Sequence, residues 1–285
     1  MIEEVIIFGT VQGALLALLA LGFSLVYGVG GVLNLAHGAF YLITAYIIFW
    51  TIPLFGFTVS AIVGLIAVMG IAAFTSLALI KPLQDTHIGV VLVTFALAFF
   101  FEQFVKYFGD PLYHYIAPWV PGFITLLGIN LQAQLLALVI GSIALVIVVT
   151  LFINKTKIGK SIRAVSQDAE AASLVGINTD LVLMTSLVLS ALLVGFAVIF
   201  YAPGNYIAPH IGWRYLLLAF SVTIFGGMGS IPGSIVGAFI MGYATTFTDY
   251  FPMLGPEYSQ LIPIVVILVM LLIRPQGLLG KEEVQ

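Results

Sequence analysis

The sequence predicts an all-α fold, a polytopic transmembrane bundle of about eight to nine spans with glycine-interrupted helices and one polar helical loop. Two observations carry this. Of 285 residues, 62% are hydrophobic and only 7% are charged, where a soluble domain carries about 25% charged residues. That is too little charge to solvate a surface, and the mean hydropathy of +1.21 makes lipid the solvent for most of the chain. The apolar residues also fall into successive runs close to the roughly 20 that a spanning helix needs.

Taken in order, candidate spans cover 5–27, 35–52, 59–80, 88–106, 133–153, 181–201, 213–228, 232–250 and 259–273. The runs at 213–228 and 232–250 are short and are read as partly re-entrant, which leaves the count between eight and nine. The first run follows Met1-Ile2-Glu3-Glu4, without the positive n-region of a secretory signal, so it reads as a retained span. Breaker residues separate the runs: Pro53 and Gly56, Lys81-Pro82, Pro111 through Gly122, Pro203-Gly204, and Pro252 through Pro256. Trp50, Tyr107, Trp119, Tyr201, Trp213 and Tyr258 stand at span ends, as in an aromatic belt. Residues 1–285 are read as a single transmembrane domain, with 154–180 as its one long polar loop.

Basic residues set the orientation. With 154–180 on the inside, Lys81, the four basic residues of the loop, Arg274 and Lys281 also fall inside, seven of the nine Lys and Arg, and only Lys106 and Arg214 fall outside. The N-terminus is then external and the C-terminus cytoplasmic.

The loop reads NKTKIGKSIRAVSQDAEAASLVGINTD and holds Lys155, Lys157, Lys160 and Arg163. Ser166 or Asp168 suits a helix N-cap, with Glu170 in the first turn where the dipole favours an anion. Ala169, Ala171, Ala172, Leu174 and Val175 give small and apolar faces, Gly176 suits a left-handed stop, and Asn178, Thr179 or Asp180 caps the next span. A short helix of about two to three turns lying on the membrane surface is expected. A solvated connector is the alternative. The loop's length favours a partner, because connections in bundles are usually about 2–8 residues.

Two glycine-rich interruptions resemble each other. YGVGGVLNLAHGAF at 27–40 and GGMGSIPGSIVGAF at 226–239 align at a constant offset of 199, matching Gly28 with Gly227, Gly30 with Gly229, Gly38 with Gly237, Ala39 with Ala238 and Phe40 with Phe239. Paired interruptions of this kind point to an internal repeat and a transport path near the midplane. Close packing through small residues is the alternative. Asn34 and His37 sit in the first interruption, where polar groups are expensive. Glu102 and Lys106 form an i, i+4 pair near a span end, and Asp249 lies near an outer end.

Several classes are excluded or unsupported. The net charge of −3 argues against a nucleic-acid partner, and the absence of cysteine excludes disulfides and thiolate metal sites. No phosphate-binding GxxxxGK[ST] motif, nucleophile elbow or helical His/Glu metal pair occurs, so no catalytic residue, metal site or cofactor is assigned. No span centre holds an Asp, Glu, Lys or Arg of the kind that proton relays use. Energised transport would draw its energy from another subunit.

Four blocks carry a family resemblance: GGVLNLAHGAFYLITAY at 30–46, GKSIRAVSQDAEAASLVGI at 159–177, FGGMGSIPGSIVGA at 225–238 and RPQGLLG at 274–280. In order and content the chain resembles the LivH-type permease subunits of branched-chain amino acid ABC importers, proteins of the prokaryotic inner membrane that work by alternating access. The resemblance implies a second, homologous permease, two cytoplasmic ATP-binding subunits and an external substrate-binding protein. It implies that 163–177 holds the coupling helix that docks on the ATPase, with Arg163, Gln167, Asp168, Glu170, Ala171 and Gly176 as contact candidates. It places Gly30, Gly31, Asn34, His37, Gly226, Gly227 and Gly229 beside the translocation path. Permeases for urea and short-chain amides resemble the chain in the same blocks, so a branched-chain amino acid is the first expectation for substrate and an amide the second. A stand-alone facilitator, an assembly protein without transport and a membrane-embedded enzyme are the rival classes.

Overall fold

In a computed structural model of the protein, residues 2–84, 86–109, 112–251, 255–274 and 276–280 are described. Pro111, Pro252, Pro275 and Lys281, which enter the sequence-based readings of the breakers, the closing motif or the orientation, lie outside the described residues.

The first helix, α1 (Ile2–Gly30), is the axis of the bundle. It is apolar all round, the pattern of a helix buried on every side. Leu15, Leu16, Leu18, Leu19 and Leu21 are fully buried within it.

The next helix, α2 (His37–Phe74), continues through a wide π turn at Thr75–Ile80 and a tight turn at Lys81–Leu83. Its 38 residues would extend about 57 Å if straight, twice the hydrocarbon thickness. It is not straight. Gly56 has φ 72 and ψ 170, and a Cβ on Gly64 would lie 2.9 Å from the side chain of Ile48. Two residues equally far from Gly56 on either side can touch only if the helix folds back there. The arms on either side of Gly56 are the predicted spans 35–52 and 59–80. A side chain at Gly56 would be strained at this φ. Gly56→Ala is expected to lower stability by about 1–2 kcal/mol, read as a fall in the melting temperature of the detergent-solubilised protein, while Gly70→Ala, which meets open space, should not.

The chain goes on through α3 (His87–Gly109), α4 (Ala133–Lys155), two short loop helices α5 (Lys157–Val165) and α6 (Ala169–Leu174), then α7 (Thr179–Tyr201), α8 (Ile211–Gly226), α9 (Ile231–Tyr250), α10 (Pro256–Ser259) and α11 (Ile262–Ile273). Among the described residues, six helices are long and apolar enough to cross a membrane: α1, α2 with its extension, α3, α4, α7 and α9; α8 and α11 are shorter apolar helices. The span at 232–250, read from sequence as short, is a full helix of 20 residues, because Ser230 caps it from before Pro232. The span at 213–228 is the short one, ending at Gly226 where Gly227 takes φ 105.

Contacts between distant residues sort into two ends. At one end, Lys81 pairs with Asp180 at 2.9 Å, Gly28 lies against Gly229, and Leu278 N–H donates to the Phe225 carbonyl at 2.8 Å. At the other, β1 (His114–Tyr115) pairs antiparallel with β4 (Tyr206–Ile207), Phe8 stacks on Tyr250, and Trp119 Nε1–H donates to the Ile199 carbonyl at 3.2 Å. A second small hairpin joins β2 (Phe123–Leu126) to β3 (Ile129–Gln132). The first end carries residues 156–178 and is called the loop end below.

Close helix approach depends on small residues. On α1, a Cβ at Gly13 would lie 2.6 Å from the Phe239 ring of α9, and one at Gly9 would strike the Tyr243 ring of the same helix. The hydroxyls of Thr10 and Tyr243 meet at 2.8 Å beside them.

Candidate functional site

The polar loop holds two helices where the sequence suggested one. Thr156 caps α5, its Oγ1 accepting from Gly159 N–H at 3.0 Å. Gly159 packs on the backbone of Phe152 and Ile153, which lets α5 fold straight back from the end of α4. Asp168 caps α6, its Oδ1 accepting from Ala171 N–H at 2.9 Å. Ser166, the other cap candidate, instead donates to the Arg163 carbonyl at 3.0 Å. The single helix fails for a local reason: Asp168 sits in extended backbone to cap α6, and a helix cannot run through its own N-cap. Gly176, at φ 86, follows α6, and Asn178 caps α7.

Arg163 and Glu170 therefore lie on different helices. Ile162 and Val165 of α5 pack with Ala172 of α6 and Val182 of α7 in a small separate core, which ties both loop helices to the bundle. Gln167, Asp168, Glu170 and Ala171 are exposed, as are Leu174 and Val175.

The two glycine interruptions occupy the loop end and touch. A Cβ on Gly28 would lie 3.3 Å from Gly229 Cα. In each, one helix arrives at the loop end and the next leaves it, so the two similar segments run in the same direction. Gly31, Gly227 and Gly229 all take positive φ. The last carbonyls of α8 are satisfied by the tail, since Leu278 and Leu279 N–H donate to Phe225 and Gly226. Gly226 packs on Gly233, and Gly227 on Gly277 and Gly280. Gly30 faces Leu183 of α7.

Asn34 and His37 are buried parts of the first interruption. Asn34 Oδ1 accepts from Ala36 N–H at 3.1 Å, and His37 Nδ1 lies 3.1 Å from Ser190 Oγ of α7. His37 also meets the Phe23 ring edge-on. Both hold the break between α1 and α2 in shape.

Next to the touching interruptions is a cavity of about 1160 Å³. Gly28 and Gly31 line it from the first interruption, Met228, Gly229 and Ser230 from the second, Thr150 and Asn154 from α4, and Arg163, Ser166 and Gln167 from the loop. Of the sequence-predicted path residues, Gly31 and Gly229 line this space, whereas Gly30, Asn34, His37, Gly226 and Gly227 do not. Of the predicted loop contacts, Arg163 and Gln167 line it and Asp168, Glu170, Ala171 and Gly176 do not. The α4 wall was missed because Thr150 stands in the apolar run 133–153 with no local mark and Asn154 opens the polar loop.

Sequence reasoning also missed two links across the bundle. Besides accepting from Lys106 Nζ at 2.6 Å, the i, i+4 pair read from the sequence, Glu102 accepts from Trp213 Nε1 of α8 at 2.5 Å. The Lys81–Asp180 pair joins the end of α2 to the first turn of α7.

Residues 5–271 match the family described as branched-chain amino acid transport system, permease component. The chain is 28% identical over 300 residues to the high-affinity branched-chain amino acid transport system permease protein BraD of Pseudomonas aeruginosa, covering 97% of this chain and 95% of that one. It is 27% identical to the corresponding LivH of Escherichia coli, with the same coverage, and 28% identical to a probable LivH of Methanocaldococcus jannaschii, covering 98% and 93%. Among solved structures, PsaBC from Streptococcus pneumoniae in complex with Fab shares the fold, with a TM-score of 0.55 at 12% identity and 97% coverage of both chains. With an all-α membrane bundle, two touching glycine interruptions and a two-helix polar loop on one cavity, and a match over nearly its whole length, the chain belongs to the permease-component family of branched-chain amino acid transport systems.

Proposed function

We propose that the chain is the transmembrane permease subunit of an ABC importer that carries branched-chain amino acids across a prokaryotic inner membrane. It catalyses no reaction itself; ATP is hydrolysed in two cytoplasmic subunits, an external binding protein delivers the substrate, and a second, homologous permease completes the pore. The loop end faces the cytoplasm, as the distribution of Lys and Arg favours, so the N-terminus is external and residues 154–180 form a cytoplasmic element within a single permease domain. The observation that carries this reading is the shared cavity wall. Arg163 and Gln167 of the loop line the same space as Gly31 and Gly229 of the interruptions, so a push on the loop is a push on the wall.

In this reading α6 is the part of 163–177 that meets the ATPase. Exposed Leu174 at its end and Val175 just past it offer an apolar contact, and Asp168 and Glu170 supply charge beside it. A hydrophobic amino acid can leave through glycine backbone, hydroxyls and amides without being held tightly, which suits a pathway whose affinity resides in the binding protein. Co-purification from native membranes tests the assignment. The wild-type chain is expected to bring down a second permease and ATP-binding subunits, and an Asp168→Lys/Glu170→Lys variant is expected to lose the ATP-binding subunits while keeping the permease. A wild-type chain that comes out alone and moves leucine in liposomes without ATP would make it a facilitator.

A further inference from the structure

The 1160 Å³ cavity has a polarity that its family does not explain. Among the described residues, Arg163 is the one charged residue on its wall, and no carboxylate of theirs faces it there. The guanidinium is steadied by a single hydrogen bond, Nη1–H to Asn154 Oδ1 at 3.3 Å, and among the described residues it forms no ion pair. Four of its five N–H donors remain. The N-terminus of α9 enters the same space at Ser230, Ile231 and Pro232, and a helix N-terminus carries about half a positive charge. Ser24 of α1 lines the wall too, and its hydroxyl is buried without a hydrogen-bond partner among the described residues. The last turns of α1 and α4 line it through Tyr27 and Asn154, and helix C-termini carry the opposite partial charge. Positive and negative groups thus share one open space.

We infer that this cavity is a weak exit site for the zwitterionic head of the transported amino acid, with the carboxylate received by Arg163 and the α9 N-terminus and the ammonium by the helix C-terminal carbonyls. This rests on the importer reading and adds to it the end of the substrate that is recognised and the residue that recognises it. Helix ends aimed at the charged groups of a small zwitterion are a general solution at broken helices. The volume is several times that of one amino acid, so the site holds a hydrated guest and releases it. Occupancy from the cytoplasmic side should oppose transport, because Arg163 belongs to the loop that must move.

The test uses the whole importer in proteoliposomes, with ATP inside, saturated binding protein outside, and leucine or leucinamide preloaded in the lumen. Internal leucine is expected to slow uptake, and leucinamide, which lacks the carboxylate, to need about tenfold more for the same effect, the loss of one charge-assisted contact. Arg163→Gln should raise the half-inhibiting leucine concentration about tenfold and Arg163→Lys much less. Thr150→Glu, which places a negative charge on the α4 wall away from the loop, should act as Arg163→Gln does. If Arg163→Gln loses the ATP-binding subunits, the coupling role is what failed, and Thr150→Glu decides the exit site. If neither variant transports, binding of radiolabelled leucine to the solubilised complex without binding protein decides it, with loss in both variants expected. Equal potency of leucine and leucinamide, or unchanged half-inhibition or binding in Thr150→Glu, overturns the proposal. Vesicles with and without phosphatidylglycerol separate the other source of an oxyanion. The same leucine response in both supports the carboxylate, whereas a response seen only without the anionic lipid makes a lipid phosphate the occupant and overturns it.

Discussion

Replacing Gly38 with valine is expected to eliminate the folded protein from the membrane. Gly38 lies in the first turn of α2 where that helix crosses α8. A Cβ there would collide with the carbonyl oxygen of Gly212 and stand 2.9 Å from Leu216 Cβ. The reverse contact is as tight, since a Cβ on Gly212 would lie 2.6 Å from the Gly38 carbonyl oxygen. The obstacle on both sides is backbone, so no rotamer change relieves it and the helices must separate. Overpacking a well-packed interior typically costs about 1–3 kcal/mol, and a backbone collision between two helices belongs at or above the top of that range. The tyrosines beside it add to the loss, because Tyr41 and Tyr215 pack across the same crossing with ring centroids 4.2 Å apart. Size-exclusion chromatography of a fluorescent fusion should show no monodisperse peak for Gly38→Val. Gly70→Val, at an open site on α2, should elute as wild type. A normal peak and melting temperature for Gly38→Val would mean that α2 and α8 do not cross here.

Removing the Glu102 carboxylate should be the largest single polar loss. Glu102 is 8% exposed and binds Lys106 on its own helix and Trp213 on α8. Glu102→Leu leaves the indole N–H of Trp213 without its acceptor and the part-exposed ammonium of Lys106 without its counter-charge. Leaving a buried donor without its acceptor costs about 1–3 kcal/mol, and Lys106, 39% exposed, adds less because solvent can take up its charge. Glu102→Gln keeps an acceptor for Trp213 and loses the charge, so it should fall between Leu and wild type. Removing both members takes away the unpaired charge but not the orphaned indole N–H of Trp213: Glu102→Leu/Lys106→Met is expected to recover part of the lost melting temperature. If the double variant is as unstable as the sum of the singles, the pair does not act as a unit and the link to Trp213 carries the effect alone.

These two sites mark the limit of what the sequence made legible. Spans, caps and interruptions were readable because each is written locally. Pro53 and Gly56 marked the fold-back inside α2, Asp168 and Asn178 were identified as cap candidates, and the offset of 199 brought Gly28 and Gly30 into register with the segment that Gly28 touches at Gly229. The Glu102–Trp213 bond joins residues 111 apart, and no periodicity within α3 points to α8. The Gly38–Gly212 crossing is hidden for the same reason: glycine among many glycines announces close approach without naming a partner. Asn34 and His37 stood out because polar groups in a membrane are expensive. Whether such a group serves a passing ligand or a neighbouring group of the protein depends on what faces it, and here Asn34 holds a bond within the break and His37 one to Ser190 of α7. The loop was misread in number of helices because a helix-favouring run and an internal cap coexist in it, and the cap prevails.

The reversal at Gly56 has a bearing on how the chain is made. The tip, Pro53-Leu54-Phe55-Gly56-Phe57, carries no charge, and helix continues on both sides of the single non-helical residue. There is no hydrophilic segment between the two arms for the insertion machinery to carry across. Residues His37 to Leu83, 47 in all, can leave the ribosome and enter the bilayer as one apolar hairpin. A packing contact between its arms, Ile48 against Gly64, joins residues only 16 apart in the chain. This part of the bundle can be complete before α3 is synthesised, giving the later helices a finished surface on which to assemble.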